Sequence, residues 1–244
     1  MTLQLMAFVF TVLFCLQRLP SAIRGENRGM FSALLLMAIG MALSIPFFYL
    51  RVDSLLGGMN IANLLLRFSV FGAFLIFGMK AASAFNAPRA QRLIAGPVGF
   101  CVLGLAAATV TVFFVLSDLP DSSTALRAYE GQDTVAAYAD TARLYQTYVA
   151  ACLAPALFLC AADSRRRGEI RISAGLMSLG MTAFVVHALL SLALWNLSRG
   201  WWDRTLPYAA VLAISIALAL VWNVRRIEKR KPKSNLLARA SGSI

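Results

Sequence analysis

Hydrophobic residues in this chain come in long uninterrupted runs, and the polar residues gather between them. A helix of about 20 apolar residues crosses the ~30 Å hydrocarbon core of a bilayer. Seven runs of this kind can be placed, at about residues 3–17, 30–50, 61–82, 98–116, 138–162, 172–197 and 206–224. The pattern predicts an all-α, polytopic membrane protein. One bundle of seven transmembrane helices covers residues 1–224, and a basic tail follows over 225–244. Pro46 interrupts the second span near its end, where a kink is expected. Before the fifth span, Tyr138, Ala142, Tyr145 and Val149 recur at i, i+4, i+7 and i+11, so that helix is expected to begin outside the bilayer and run on to about Ala162.

Composition agrees. The chain is 59% hydrophobic and only 14% charged, with a mean hydropathy of +0.72, whereas a soluble domain carries about 25% charged residues. A bundle of seven spans leaves no room in 244 residues for a large soluble domain.

Charge then sets the orientation. The net charge of +12 sits mostly beside the apolar runs, which reads as a topology signal and not as a nucleic-acid face. Of the 23 Lys and Arg residues, 16 fall in the tail and on the connections after the first, third and fifth spans, and Lys80 at the inner end of the third span makes 17. The opposite side holds five of them, with seven of the 11 acids. The positive-inside rule therefore puts the N-terminus outside and the tail in the cytoplasm, in a multi-pass protein of the cell membrane. No basic residue precedes the first run, while Arg18, Arg24 and Arg28 follow it, so it reads as a spanning helix. The alternative is a signal peptide cleaved near Ser21 or Ala22. Trp201 and Trp202 fall where interfacial aromatics are expected. Arg225, Arg226, Lys229, Arg230, Lys231 and Lys233 form a topology anchor able to bind anionic lipid headgroups.

Signals for enzyme chemistry are missing from the sequence. It has no histidine pair, no CxxC, no phosphate loop and no nucleophile with a plausible base. No enzymatic activity, metal or other cofactor is expected, and the absence of lysine from the seventh span excludes a retinal Schiff base there. Cys15, Cys101, Cys152 and Cys160 lie within apolar runs and read as packing residues.

Candidate chemistry centres on the stretch RVDSLLGGMNIANLLLRF, residues 51–68. Asn60, Asn63 and Arg67 fall at i, i+3 and i+7 and would share one helix face. Arg67 should lie ~9 Å inside the outer end of its helix. An arginine there is costly in hydrocarbon and should face protein or trapped water. It reads either as an anion-binding or substrate-orienting group at the floor of an outward-facing cavity, or as a structural residue that snorkels or pairs with Asp53 or Asp140. His187, the only histidine, lies on a stripe with Ser173, Gly180 and Ser191. It reads as a proton-coupling group or as a neutral histidine bonded between helices. Tyr145, Gln146 and Tyr148 could line the same cavity or anchor at the interface. Small residues at helical spacing (Gly104, Ala108 and Thr111, then Ala209, Ala213 and Ala217) read as close helix–helix packing surfaces, within the bundle by preference or else between protomers.

The chain also echoes itself. RGE at 24–26 recurs at 167–169, and LMAIGM at 36–41 recurs as LMSLGM at 176–181. Offsets of 143 and 140 residues would relate the first three spans to the last three as a parallel repeat with the fourth as linker, an arrangement known in transporters.

IPFFYLRVDSLLGGMNIANLL, ARLYQTYVAACL and IRISAGLMSLGM resemble a family of actinobacterial seven-helix membrane proteins of uncharacterised function, commonly labelled transporters. The resemblance covers about half of the chain. It implies the seven-span topology and the transporter label, but no binding residues, and Arg67 lies outside its motifs.

The leading expectation is a small-solute transporter with a polar cavity near the third, fifth and sixth spans. Its partners would be the lipid bilayer and a small-molecule ligand. The alternatives are a sensor or receptor-like subunit that signals to a cytoplasmic or membrane protein partner, or a structural subunit of a complex or homo-oligomer. Nucleic acid is not an expected partner.

Overall fold

The computed structural model describes residues 2–26, 28–193 and 201–230, with side chains over 3–26, 28–193 and 205–220. All regular structure among these residues is helical: α1 (Thr2–Ile23), α2 (Arg28–Leu43), α3 (Pro46–Leu55), α4 (Ile61–Ala84), α5 (Pro88–Ala95), α6 (Pro97–Leu116), α7 (Asp133–Ala162), α8 (Gly168–Ala193) and α9 (Trp201–Arg230), with a short turn over Thr124–Tyr129. Five helices are long and apolar enough to cross a membrane, and a sixth span is added if α2 and α3 count as one. In α9 the apolar part with described side chains is Thr205–Leu220. The molecule is thus an all-helical protein of the multi-pass membrane type, as its composition requires.

Three local departures from the expected spans have clear causes. The second span is not a kinked helix but two helices meeting at 94°. Pro46 has no N–H to continue the α2 ladder, and Ile45 before it is extended (φ −92°, ψ 125°), as a residue preceding proline prefers. The freed carbonyl of Ser44 accepts from Gln4 Nε2 at 2.7 Å, which ties α1 to the break. The linker after the third span also holds a short helix, α5. Its Ala90 and Ile94 are buried while Arg89 and Arg92 are exposed. Finally, on α6, Gly104 and Ala108 are exposed, and a side chain at Gly104 would meet nothing within 4 Å. That face does not pack within the bundle: α6 buries Gly99, Ala106 and Val110 there instead. On α9, Ala217 is buried as expected, but Ala209 is exposed.

Helix contacts close into a ring. α1 packs on α2, α2 on α4, α4 on α7, α7 on α8, α8 on α9, and α9 back on α1, while α6 lies outside against α4 and α7. The ring therefore consists of two three-helix units, α1–α2–α4 and α7–α8–α9, with matching internal contacts. Their registers match as well. LMAIGM and LMSLGM, 140 residues apart, both lie on the middle helix of their unit, α2 and α8. Gly40 and Gly180 hold the same spacing and the same task. A Cβ on Gly40 would lie 2.9 Å from Val70 Cγ2 and 3.8 Å from the Leu66 carbonyl. One on Gly180 would lie 2.7 Å from Ile214 Cγ1 and 3.0 Å from the Ala210 carbonyl. In both units a glycine on the middle helix lets the last helix approach it closely.

Candidate functional site

Two polar regions lie at the end of the bundle that carries the 117–132 connection, and they are built differently. The first is the α3–α4 hairpin. Gly57 and Gly58 have φ of +98° and +73°, and Asn60 follows at +60°, a left-handed position that asparagine tolerates. Asp53, fully buried, turns back over this corner. Its carboxylate accepts from the backbone N–H of Asn60 and of Ala62, each at 3.0 Å, and from the Ser122 hydroxyl. It thereby caps the start of α4 from outside that helix. Asn60 fills the remaining positions. Its Oδ1 accepts from Tyr49 Oη at 2.9 Å and from the Ser123 N–H at 2.7 Å, and its Nδ2 donates to the Asp121 carbonyl at 2.7 Å. The long connection is clamped to the hairpin by these bonds. Neither the Asp53 carboxylate nor the Asn60 side chain is left without a partner.

The second region is a cavity of about 570 Å³ inside the ring, lined by residues of all six ring helices. Its α4 wall is Leu66, Arg67, Val70 and Phe74, and its α7 wall is Val135, Ala136, Ala139, Arg143 and Gln146. Both sets follow helical spacing. Phe184 and His187 come from α8, Tyr208 and Val211 from α9, Gln4 from α1, and Arg127 and Glu130 from the long connection. Arg67 is half-buried, with its guanidinium carbon 5.2 Å from the centroid of the Tyr138 ring. That ring is held in turn by Tyr138 Oη donating to Asn63 Oδ1 at 2.8 Å. Among the described residues no ion pair includes Arg67, and its buried Nε has no hydrogen-bond partner. Asp140 pairs with Arg143 through one oxygen, and its other oxygen is buried without a partner.

The candidates from the sequence separate on this geometry. Arg67, His187 and Gln146 are brought together on the cavity. Asn60 belongs to the hairpin, and Asn63 supports the Tyr138 ring behind Arg67. Tyr145 packs edge-on against Phe71 at 4.9 Å, fully buried, away from the cavity. Its stripe with Tyr138, Ala142 and Val149 is the buried packing face of α7, so the cavity wall lies on another side of that helix. Tyr148 donates to the Leu93 carbonyl of α5 at 2.7 Å. Arg67 pairs with neither Asp53 nor Asp140, the alternative offered for it: Asp53 is held by the hairpin, and Asp140 turns one oxygen to Arg143. Arg143, Gln4 and Phe74 were not singled out from the sequence. A charged or amide residue inside an otherwise apolar span was the available signal for the first two, and nothing marked Phe74. The side chains of Arg225, Arg226, Lys229 and Arg230, and the whole of Lys231 and Lys233, lie outside the described residues, as do the side chains of Trp201 and Trp202.

No protein-family model matches this chain, and no curated protein or solved structure matches it.

Proposed function

We propose that this protein is a seven-span transporter of a small solute in the cell membrane, with its N-terminus outside and its tail in the cytoplasm. One observation carries the reading: the cavity is enclosed by two matching three-helix units and contains an arginine that has no counter-ion among the described residues. Transporters built from repeats hold their substrates at the interface between the repeats. A charged side chain inside a membrane bundle without a protein partner is costly, and ligand binding is the ordinary reason for keeping one. The segregation of basic residues in the sequence supports the orientation, and the likeness to the actinobacterial seven-helix family supports the same label.

Substituted-cysteine labelling tests it, in a background with the native cysteines replaced by alanine. Ala128→Cys, in the exposed long connection, is expected to react with an impermeant thiol reagent from outside the cell. Gln146→Cys, inside the cavity, is expected to react from either side of the membrane as the protein cycles. Labelling of Gln146→Cys from one side only, under every condition, would instead mark a sensor's ligand pocket.

A further inference from the structure

The cavity has a polar level and an apolar level, and α4 sets the distance between them. Arg67, Val70 and Phe74 all line it, and Phe74 lies seven residues, ~10 Å along the helix, beyond Arg67. At that depth Phe74 meets Phe184 edge-to-face, with centroids 5.0 Å apart, and Met37 and Val211 complete an apolar floor. Charge at the upper level is unequal. Arg143 is paired with Asp140 and Arg127 is exposed on the connection, so Arg67 is the lining cation set within a spanning helix that is in no ion pair among the described residues. Its planar fork lies over the Tyr138 ring, and the buried Nε has no acceptor. A guanidinium held this way matches a carboxylate, which it can bind through two parallel N–H donors.

From this geometry we infer that the ligand of the cavity is a small organic carboxylate with an apolar body about 10 Å long, its anionic head on Arg67 and its body reaching down against the Phe74–Phe184 pair. This rests on the reading of the cavity as a solute site and names the class of solute. Inorganic phosphate would leave the apolar floor empty. A long-chain fatty acid would overrun it. A neutral analogue would leave Arg67 without its anion.

Calorimetric binding to the purified full-length protein in nanodiscs tests the inference, with 3-phenylpropionate as probe. The neutral 3-phenylpropanamide, inorganic phosphate and hexadecanoate serve as comparisons. The acid is expected to bind at least ~10-fold more tightly than its amide, the scale set by one hydrogen-bonded charge. Phosphate and hexadecanoate are expected to bind far more weakly. Arg67→Gln should remove the preference for acid over amide, and Phe74→Ala should weaken 3-phenylpropionate more than butyrate. The acid–amide comparison is made on the wild type, so it stands whether or not a variant folds. Equal binding of acid and amide, or binding only of phosphate or hexadecanoate, overturns the inference. Uptake into proteoliposomes, measured in parallel, keeps the two claims apart. Binding of the acid without uptake upholds the carboxylate site and overturns transport. Uptake of neutral solutes without binding of the acid upholds transport and overturns the carboxylate site.

Discussion

Asp53 and Arg67 stand 14 residues apart on consecutive helices, at the same end of the bundle, and each is a charge in an apolar setting. Around Asp53, two backbone N–H groups and the Ser122 hydroxyl complete the carboxylate. Around Arg67, the protein supplies Tyr138 but, among the described residues, no acid that pairs with it, and the buried Nε is left without an acceptor. A buried charge that is fully hydrogen-bonded stabilises its surroundings, and its loss is expensive. One left incomplete lowers stability and needs another reason to be present. The contrast separates a residue that builds the fold from one that waits for a partner, although the two read alike in the sequence.

The contrast can be broken most severely at the hairpin. Asp53→Ala leaves the Asn60 and Ala62 N–H groups and the Ser122 hydroxyl without their acceptor. It is expected to destabilise the protein by about 3 kcal/mol, seen as a lower thermal midpoint and as early proteolysis of the 117–132 connection. Next in size is overpacking between the helices of each unit. Gly180→Ala would press on the Ala210 carbonyl, which cannot move aside, and is expected to cost about 1–3 kcal/mol. Gly40→Ala should cost less, because the close atom is a Val70 methyl and the backbone is 3.8 Å away. A measured order the other way round would weaken the equivalence of the two units. Tyr138→Phe removes one hydrogen bond to Asn63 while keeping the ring under Arg67. It is expected to lose about 1 kcal/mol with ligand binding preserved. Smallest is Ala125→Gly at the mouth of the cavity. Ala125 has a φ of +58°, and relieving it is expected to raise stability by about 0.5–1 kcal/mol, read by the same thermal assay.

Much of this fold is legible in the sequence, because lipid leaves a spanning chain few choices. The long apolar runs, the break at Pro46 and the repeated LMxxGM all report constraints local to the chain. The 140-residue register seen in LMAIGM and LMSLGM reappears in Gly40 and Gly180, each facing the last helix of its unit. The cavity was harder to read. Period 3.6 identifies which residues share a face, but not which neighbour that face meets. Asn60 and Asn63 sit near Arg67 in sequence, yet Asn60 leaves the helix at a left-handed corner and Asn63 turns to Tyr138. Tyr145 and Gln146 are adjacent, and one is core while the other is cavity wall, since successive helical residues point about 100° apart. The face of α6 with Gly104 and Ala108 misled for a similar reason: small residues at helical spacing permit close packing without requiring it.

The most direct test is a side-by-side thermal denaturation, without ligand, of the wild type, Asp53→Ala and Arg67→Met. Methionine keeps the apolar stem of Arg67 and removes the charge that has no partner. Asp53→Ala should melt well below the wild type, and Arg67→Met should melt at or above it while losing the binding of carboxylate probes. If Arg67→Met instead melts as low as Asp53→Ala, Arg67 is a structural residue and the cavity is not organised around it.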